Sequence, residues 1–360
     1  MSATTTVTAV PIAPPSTVTL EPAVFVSKRE FNNDKIKTVI DRIAQKTYGD
    51  WRDDLFRDGY AVVKNAVPRE RAQQYQQEAF KWLGRFSDKF DIRNPDTWTR
   101  GNLPPMSNTN IFKSHCVSHE KFMWDARLEP GVIKAFERLW QTDQLLVSFD
   151  ALNVTLPHLK DKEAVAPWPH VDQTPYRKGM HCAQGIISLS DHGPEDGGLV
   201  VYKGTHELME EFFTSVVPKK DWTERDFFMI SDEQLQWFLD RGCEEIKIEC
   251  EAGDLIIWDS RTIHWGKEPS PSSNTIRTVI YACYTPAHFA TEKSLAEKKS
   301  LFESWSGTTH WPHDNLVRTG RKAYYADGRE CENNRDEPFE KPALTDELLR
   351  LAGVKPYENK

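Results

Sequence analysis

The chain has 360 residues, 39% of them hydrophobic and 11% aromatic, enough to bury a substantial core as one large domain or two ordinary ones. Its formal net charge of -8 argues against nucleic acid or an anionic membrane surface as the main partner, because each selects a net basic face. The six cysteines, Cys116, Cys182, Cys243, Cys250, Cys283 and Cys331, show no C-x-x-C spacing, which predicts reduced thiols rather than a disulfide framework or a structural zinc site.

Residues 1–22 are rich in Thr, Ser, Pro and Ala with little to bury, and a disordered tail is expected there. No Lys or Arg precedes Lys28, and no apolar block at this end is long enough for a signal peptide or a membrane span. The C-terminal YENK is not a peroxisomal S-K-L ending, so a cytoplasmic protein is expected.

Ile36, Val39, Ile40 and Ile43 recur at helical spacing and predict a helix within residues 27–47. DGYAVVKNAVP (58–68) reads as a strand ended by Pro68, and the stretch from Pro68 to Phe86 as a helix with proline in its first turn. A further helix is predicted over 129–141. From Leu145 the chain changes to short runs rich in β-branched and aromatic residues, among them LLVSFDALNV, HCAQGIISLS, GGLVVYKG, EEIKIECEAGDLIIWDS and TIRTVIYACYTP. Gly, Pro and Asp separate them, and they do not alternate regularly with helices. That pattern predicts an antiparallel sandwich or jelly roll rather than a doubly wound sheet. A helical insertion interrupts it at about 205–241, where Ser231 and Gln234 have the spacing of a capping box. After residue 290 a helical and then irregular extension runs to 360. Residues 23–360 are thus read as a single domain, with helical support over 23–142 and the jelly-roll core over 143–290.

Within WPHVDQTPYRKG, His170 and Asp172 lie two positions apart on an extended segment, so both side chains point to one side. Such a pair arises by chance about once in a chain of this kind and proves nothing alone. A third ligand is available in GDLIIWDSRTIHWG, where His264 follows an apolar strand. Two histidines and one carboxylate on one face leave three positions open, a set suited to non-haem Fe(II). Arg277 follows 13 residues after His264 on a strand with few polar residues. A guanidinium pointing inward there needs an anionic partner, and its fork suits a carboxylate such as that of 2-oxoglutarate.

The order of H-x-D, EDGGLVVYKGTH (195–206), GDLIIWDSRTIHWG and Arg277 resembles the phytanoyl-CoA dioxygenase-like family of Fe(II)- and 2-oxoglutarate-dependent oxygenases. The likeness covers roughly residues 50–290 and rests on the four motifs in order. Lys203-Gly204-Thr205-His206 stands where the family commonly has Pro-Gly-Ser-His. The resemblance implies a double-stranded β-helix, the cupin-like jelly roll, as a catalytic domain with iron at one mouth. It assigns His170, Asp172 and His264 to the metal, and Arg277 to 2-oxoglutarate with Asn153 or Gln184 holding the other end. The carboxylate at Asp172 favours oxygenation, since related halogenases carry a small residue there. The implied reaction consumes O2 and releases succinate and CO2, most simply by hydroxylating a small organic metabolite.

Trp168, Gln173, Tyr176, Arg177 and Trp258 surround the motifs and are candidates for a substrate pocket, although aromatics at strand spacing are more often core. His119, Trp124 and Arg127 are weaker pocket candidates. His206 reads as a turn residue, and His310 and His313 in THWPH as part of a packing or lid segment. A CoA thioester would call for a basic groove, and only Arg177-Lys178 hints at one. Two other readings fit the residues taken without the resemblance: a metal-dependent jelly-roll hydrolase or isomerase working without 2-oxoglutarate, and a non-catalytic binding β-sandwich.

Overall fold

The structure, a computed structural model, describes residues 31–358 apart from Arg321 and Ala326. The tail expected over residues 1–22 lies outside the described residues. Helices α1 (Asn33–Ala44) and α2 (Trp51–Asp58) lead into strand β1 (Tyr60–Val63), then α3 (Arg69–Gly84), the short strand β2 (Ile111–Phe112), α4 (Lys121–Arg127) and α5 (Pro130–Trp140). In α1 the periodic Ile36, Ile40 and Ile43 form the buried face. Asp50 caps α2 by accepting from the Arg52 N–H. Pro68 takes the cap position of α3 rather than its first turn.

Strands β3 (Leu145–Val147), β4 (Leu152–Thr155), β5 (His170–Val171), β6 (Ala183–Ser188) and β7 (Gly198–Lys203) follow. After them come α6 (Thr205–Ser215), β8 (Phe228–Met229), α7 (Asp232–Leu239), β9 (Glu244–Lys247), β10 (Leu255–Asp259), β11 (His264–Lys267), β12 (Arg277–Tyr281) and β13 (Tyr284–Pro286). Helices α8 (Glu292–Glu303) and α9 (Asp346–Leu351) belong to the C-terminal extension.

One sheet has the order β1-β10-β6-β12-β4-β2, with β13 joining β3 to β6; the other has the order β8-β5-β11-β7-β9. Every paired strand runs antiparallel. From β4 to β7, and again from β9 to β12, successive strands belong to opposite sheets. That alternation is the double-stranded β-helix, the jelly roll expected from the strand pattern.

Ile186, Leu199, Val201, Ile256, Trp258 and Val279 form one buried cluster on the strands of the two sheets. The alternate residues of the large sheet, among them Ile187, Leu255, Ile257 and Ile280, join the helices in a second core with Trp82, Phe136 and Trp140. Both faces of β10 are therefore covered, and all five of its residues are buried, which is why LIIWD reads as a continuous apolar run without alternation. Burial of each such aliphatic side chain is worth about 1.5–3 kcal/mol. Gly253 opens β10 at φ 99°, and a Cβ there would meet the Val67 carbonyl oxygen at 2.2 Å; only glycine fits that turn.

The insertion packs Phe212, Phe213 and Phe238 against Val171, Val200 and Trp265 of the smaller sheet. The capping box closes with Ser231 and Gln234 bonding each other's backbone N–H. Its sequence gave no sign of β8, which pairs with β5. All six cysteines are free and buried. Among the described residues no helix is long and apolar enough to cross a membrane.

Candidate metal and cosubstrate site

His170 stands on β5, and Asp172 follows in the bend where the chain leaves that strand. His264 opens β11 directly opposite His170 in the antiparallel register. One ligand atom from each of the three residues lies within 4.8 Å of the other two. His264 Nε2 is 3.3 Å from Asp172 Oδ2, and His170 Nε2 is 3.7 Å from Asp172 Oδ1.

The ring nitrogens are sorted by their backbone partners. His170 Nδ1 lies 3.1 Å from the Trp168 carbonyl oxygen, and His264 Nδ1 lies 2.9 Å from that of Thr262. A carbonyl only accepts, so each Nδ1 carries the proton and each Nε2 presents a lone pair, the form that binds a metal. Burial, followed by the charge of His170, pushes the His264 pKa down and favours the neutral ring. Burial also opposes ionisation of Asp172, but the electrostatic influence of the His170, His310 and His264 imidazoles around its carboxylate outweighs it. Its carboxyl is held well below the usual range. Trp168 stacks on the His170 ring at 4.4 Å and Phe227 of the insertion packs on it at 5.0 Å, so the imidazole is fixed by rings as well as by its hydrogen bond. The donor set fits a divalent iron.

The triad opens on a cavity of about 480 Å³. Arg277 lines it and is buried. Its Nη1 donates to Asn153 Oδ1 at 3.3 Å, its Nε has no partner, and no carboxylate pairs with it among the described residues. Burial pulls its pKa down against the opposing influence of Tyr281 and Cys250, yet a guanidinium stays charged. A buried cation with unused donors fits an anionic group such as a cosubstrate carboxylate.

Asn153 and Gln184 also line the cavity, with different first partners from those expected. Asn153 accepts from Arg277 and from Thr155 Oγ1 and donates to the Thr109 carbonyl at 2.8 Å. Gln184 donates to Asp172 Oδ2 at 3.0 Å and so aims the carboxylate. Trp168 and Trp258 line the cavity.

The structure does not bring Gln173, Tyr176 or Arg177 to it. Gln173 donates to the Gly179 carbonyl and accepts from the His181 N–H and Ser260 Oγ, so it braces the loop. Tyr176 packs edge-on against Trp222. Arg177 is fully buried between Asp226 and Asp314. His119, Trp124 and Arg127 are core residues, and His206 bonds the Phe56 carbonyl at 3.1 Å. Sequence reasoning missed Asn110, Phe227 and His310, all of which line the cavity. The available signal for His310 was a histidine among aromatics in THWPH, read above as a packing or lid segment.

A jelly roll that turns two histidines and a carboxylate into one cavity defines a class of protein, the cupin-like non-haem oxygenases. Residues 55–274 match the phytanoyl-CoA dioxygenase (PhyH) family, and the chain belongs to that family of Fe(II)- and 2-oxoglutarate-dependent oxygenases. It is 40% identical over 282 residues to "Ava biosynthesis cluster protein O" of Aspergillus versicolor, an alignment spanning 77% of this chain and 90% of that one. A hypothetical protein from Escherichia coli shares the fold at a TM-score of 0.57 and 16% identity, over 89% of this chain and 91% of that one. Fe(II) and 2-oxoglutarate are accordingly its cofactor and cosubstrate.

Proposed function

We propose that this oxygenase hydroxylates a C–H bond of a small organic metabolite, with one oxygen atom of O2 entering the product and the other entering the succinate formed with CO2 from 2-oxoglutarate. The observation that carries this reading is the pairing, on one cavity, of the His170, Asp172 and His264 cluster with the unpaired buried guanidinium of Arg277. In it, Nε2 of both histidines and the Asp172 carboxylate would hold the iron. Arg277 takes the distal carboxylate of 2-oxoglutarate, with Asn153 fixing the fork and Gln184 fixing Asp172. Bound iron with 2-oxoglutarate supplies the O2 activation and hydrogen abstraction. The chain supplies placement: the rings of Trp168 and Phe227 pack on His170 and hold it still. A small metabolite as substrate is supported by the cavity's size and by the relative named for a biosynthetic cluster.

Anaerobic protein given Fe(II) and 2-oxoglutarate is expected to develop a visible charge-transfer band and, on admission of O2, to form succinate. Ala at His170, Asp172 or His264 should abolish both, whereas Arg277→Ala should chiefly raise the 2-oxoglutarate concentration required. A metal-dependent activity that ignores 2-oxoglutarate would sink the proposal and leave the hydrolase or isomerase reading.

A further inference from the structure

One wall of the cavity comes from the C-terminal extension, beyond the residues that match the family: Thr309, His310, Asn315 and Val317 line it. The backbone of this segment is anchored. Thr309 Oγ1 donates to the Asn315 carbonyl at 3.3 Å, Trp311 is fully buried beneath the Arg177 guanidinium at 4.1 Å, and Asp314 pairs with Arg177. The His310 imidazole is the exception. Its Nε2 is shielded from solvent and has no hydrogen-bond partner, and the residue lines the same cavity as His170, Asp172 and His264. Asn110 Oδ1 and Trp168 Nε1, on the same cavity, are likewise shielded and unpartnered. A polar atom held dry on a rigid support carries a desolvation cost that a bound partner relieves, and this makes it a discriminator between ligands with and without a matching group. Flat surfaces accompany these polar atoms: Trp168 and Phe227 are only half-buried and line the cavity beside the triad.

We infer that the substrate is a flat, ring-bearing molecule seated along Trp168 and Phe227, and that His310 selects it by a hydrogen bond to an oxygen substituent on the ring. This rests on the proposed function, in that the triad marks the reaction centre. His310 is then a specificity-determining residue supplied by the extension. The oxygen substituent binds the free Nε2, as a hydroxyl donating to it or as a carbonyl accepting from it, depending on which ring nitrogen carries the proton.

The test is anaerobic equilibrium dialysis of 2-naphthol and of naphthalene against the protein loaded with Fe(II) and 2-oxoglutarate, for wild type, His310→Leu and His310→Gln. Wild type should bind 2-naphthol more tightly than naphthalene. His310→Leu should weaken 2-naphthol by about 2- to 10-fold, the worth of one hydrogen bond, and leave naphthalene within about twofold, while His310→Gln recovers part of the loss. Equal affinity of wild type for the two probes, no binding of either, or an unchanged 2-naphthol affinity in His310→Leu overturns the inference. The charge-transfer band is read in the same samples. Its absence in wild type defeats the iron and 2-oxoglutarate reading itself, whereas a normal band without ring selectivity defeats only the present inference. Loss of the band in His310→Leu alone would place His310 at the iron and overturn its substrate role.

Discussion

Arg177 was a candidate for touching substrate, and its real setting makes a sharper prediction possible. Its Nε and Nη2 donate to Asp226 at 2.7 and 2.9 Å, and its Nη1 and Nη2 donate to Asp314 at 2.9 and 3.1 Å. The side chains of Arg177 and Asp226 are 0% exposed and that of Asp314 is 28% exposed. Burial opposes the charge on Arg177, but the two carboxylates outweigh it and hold the pKa above its usual value. Arg177→Met removes the guanidinium that Asp226 and Asp314 share, and removing one partner of a buried pair costs about 3–5 kcal/mol. With an unfolding entropy of roughly 2.1 cal/mol/K per residue over about 330 residues, that corresponds to a fall in Tm of about 4–7 °C. The triple variant Arg177→Met, Asp226→Asn, Asp314→Asn removes the two carboxylate charges as well and should recover most of the loss. Differential scanning calorimetry of wild type, single and triple variants measures both steps. A single variant within 1 °C of wild type, or a triple variant no better than the single, would refute the argument that the guanidinium neutralises a buried acid pair.

Gln184→Leu removes the donor 3.0 Å from Asp172 Oδ2, and metal affinity should fall by about 10- to 100-fold, as titration with Fe(II) or Co(II) would reveal; an unchanged affinity means that Asp172 is aimed by other groups. His119 is buried with Nε2 on the Ser306 carbonyl and Nδ1 accepting from Trp124 Nε1, and burial pushes its pKa down to about 3 from the ordinary 6.5. Between those values the unfolded chain binds a proton that the folded chain does not, so stability is lost as pH falls through that window. His119→Gln should flatten the dependence of Tm on pH there while lowering Tm at neutral pH, and parallel curves would contradict the assignment.

The jelly roll was legible because its strands carry long apolar and β-branched runs that no amphipathic helix would tolerate. The clustering of His170, Asp172 and His264 was legible because they sit at strand ends, where spacing fixes direction. Legibility failed within a few residues of those ends. After Asp172 the chain bends, and Gln173, Tyr176 and Arg177 turn into a loop core although they are neighbours of the triad in sequence. The cavity walls come instead from Asn110, Phe227 and His310, each on an irregular segment without periodicity, brought together by tertiary contacts. Gln184 and Asn153 were named through the family resemblance, but their partners, Asp172 and Arg277, depend on strand register, and the sequence does not state register.

The strand that carries His170 is two residues long, and its outer neighbour is β8 of the insertion, pairing Met229 with His170 and Phe228 with Val171. The bond from Ile230 N to the Pro169 carbonyl at 2.9 Å extends that pairing by one residue. Were β8 absent, the unpaired amides and carbonyls of β5 would leave an open sheet edge beside His170, a template on which a second chain could add. β8 closes it and stops after two residues, too short to offer an edge of its own. The insertion thus covers the edge of a two-residue strand on which His170 leaves little room for the charges or prolines that otherwise blunt an edge.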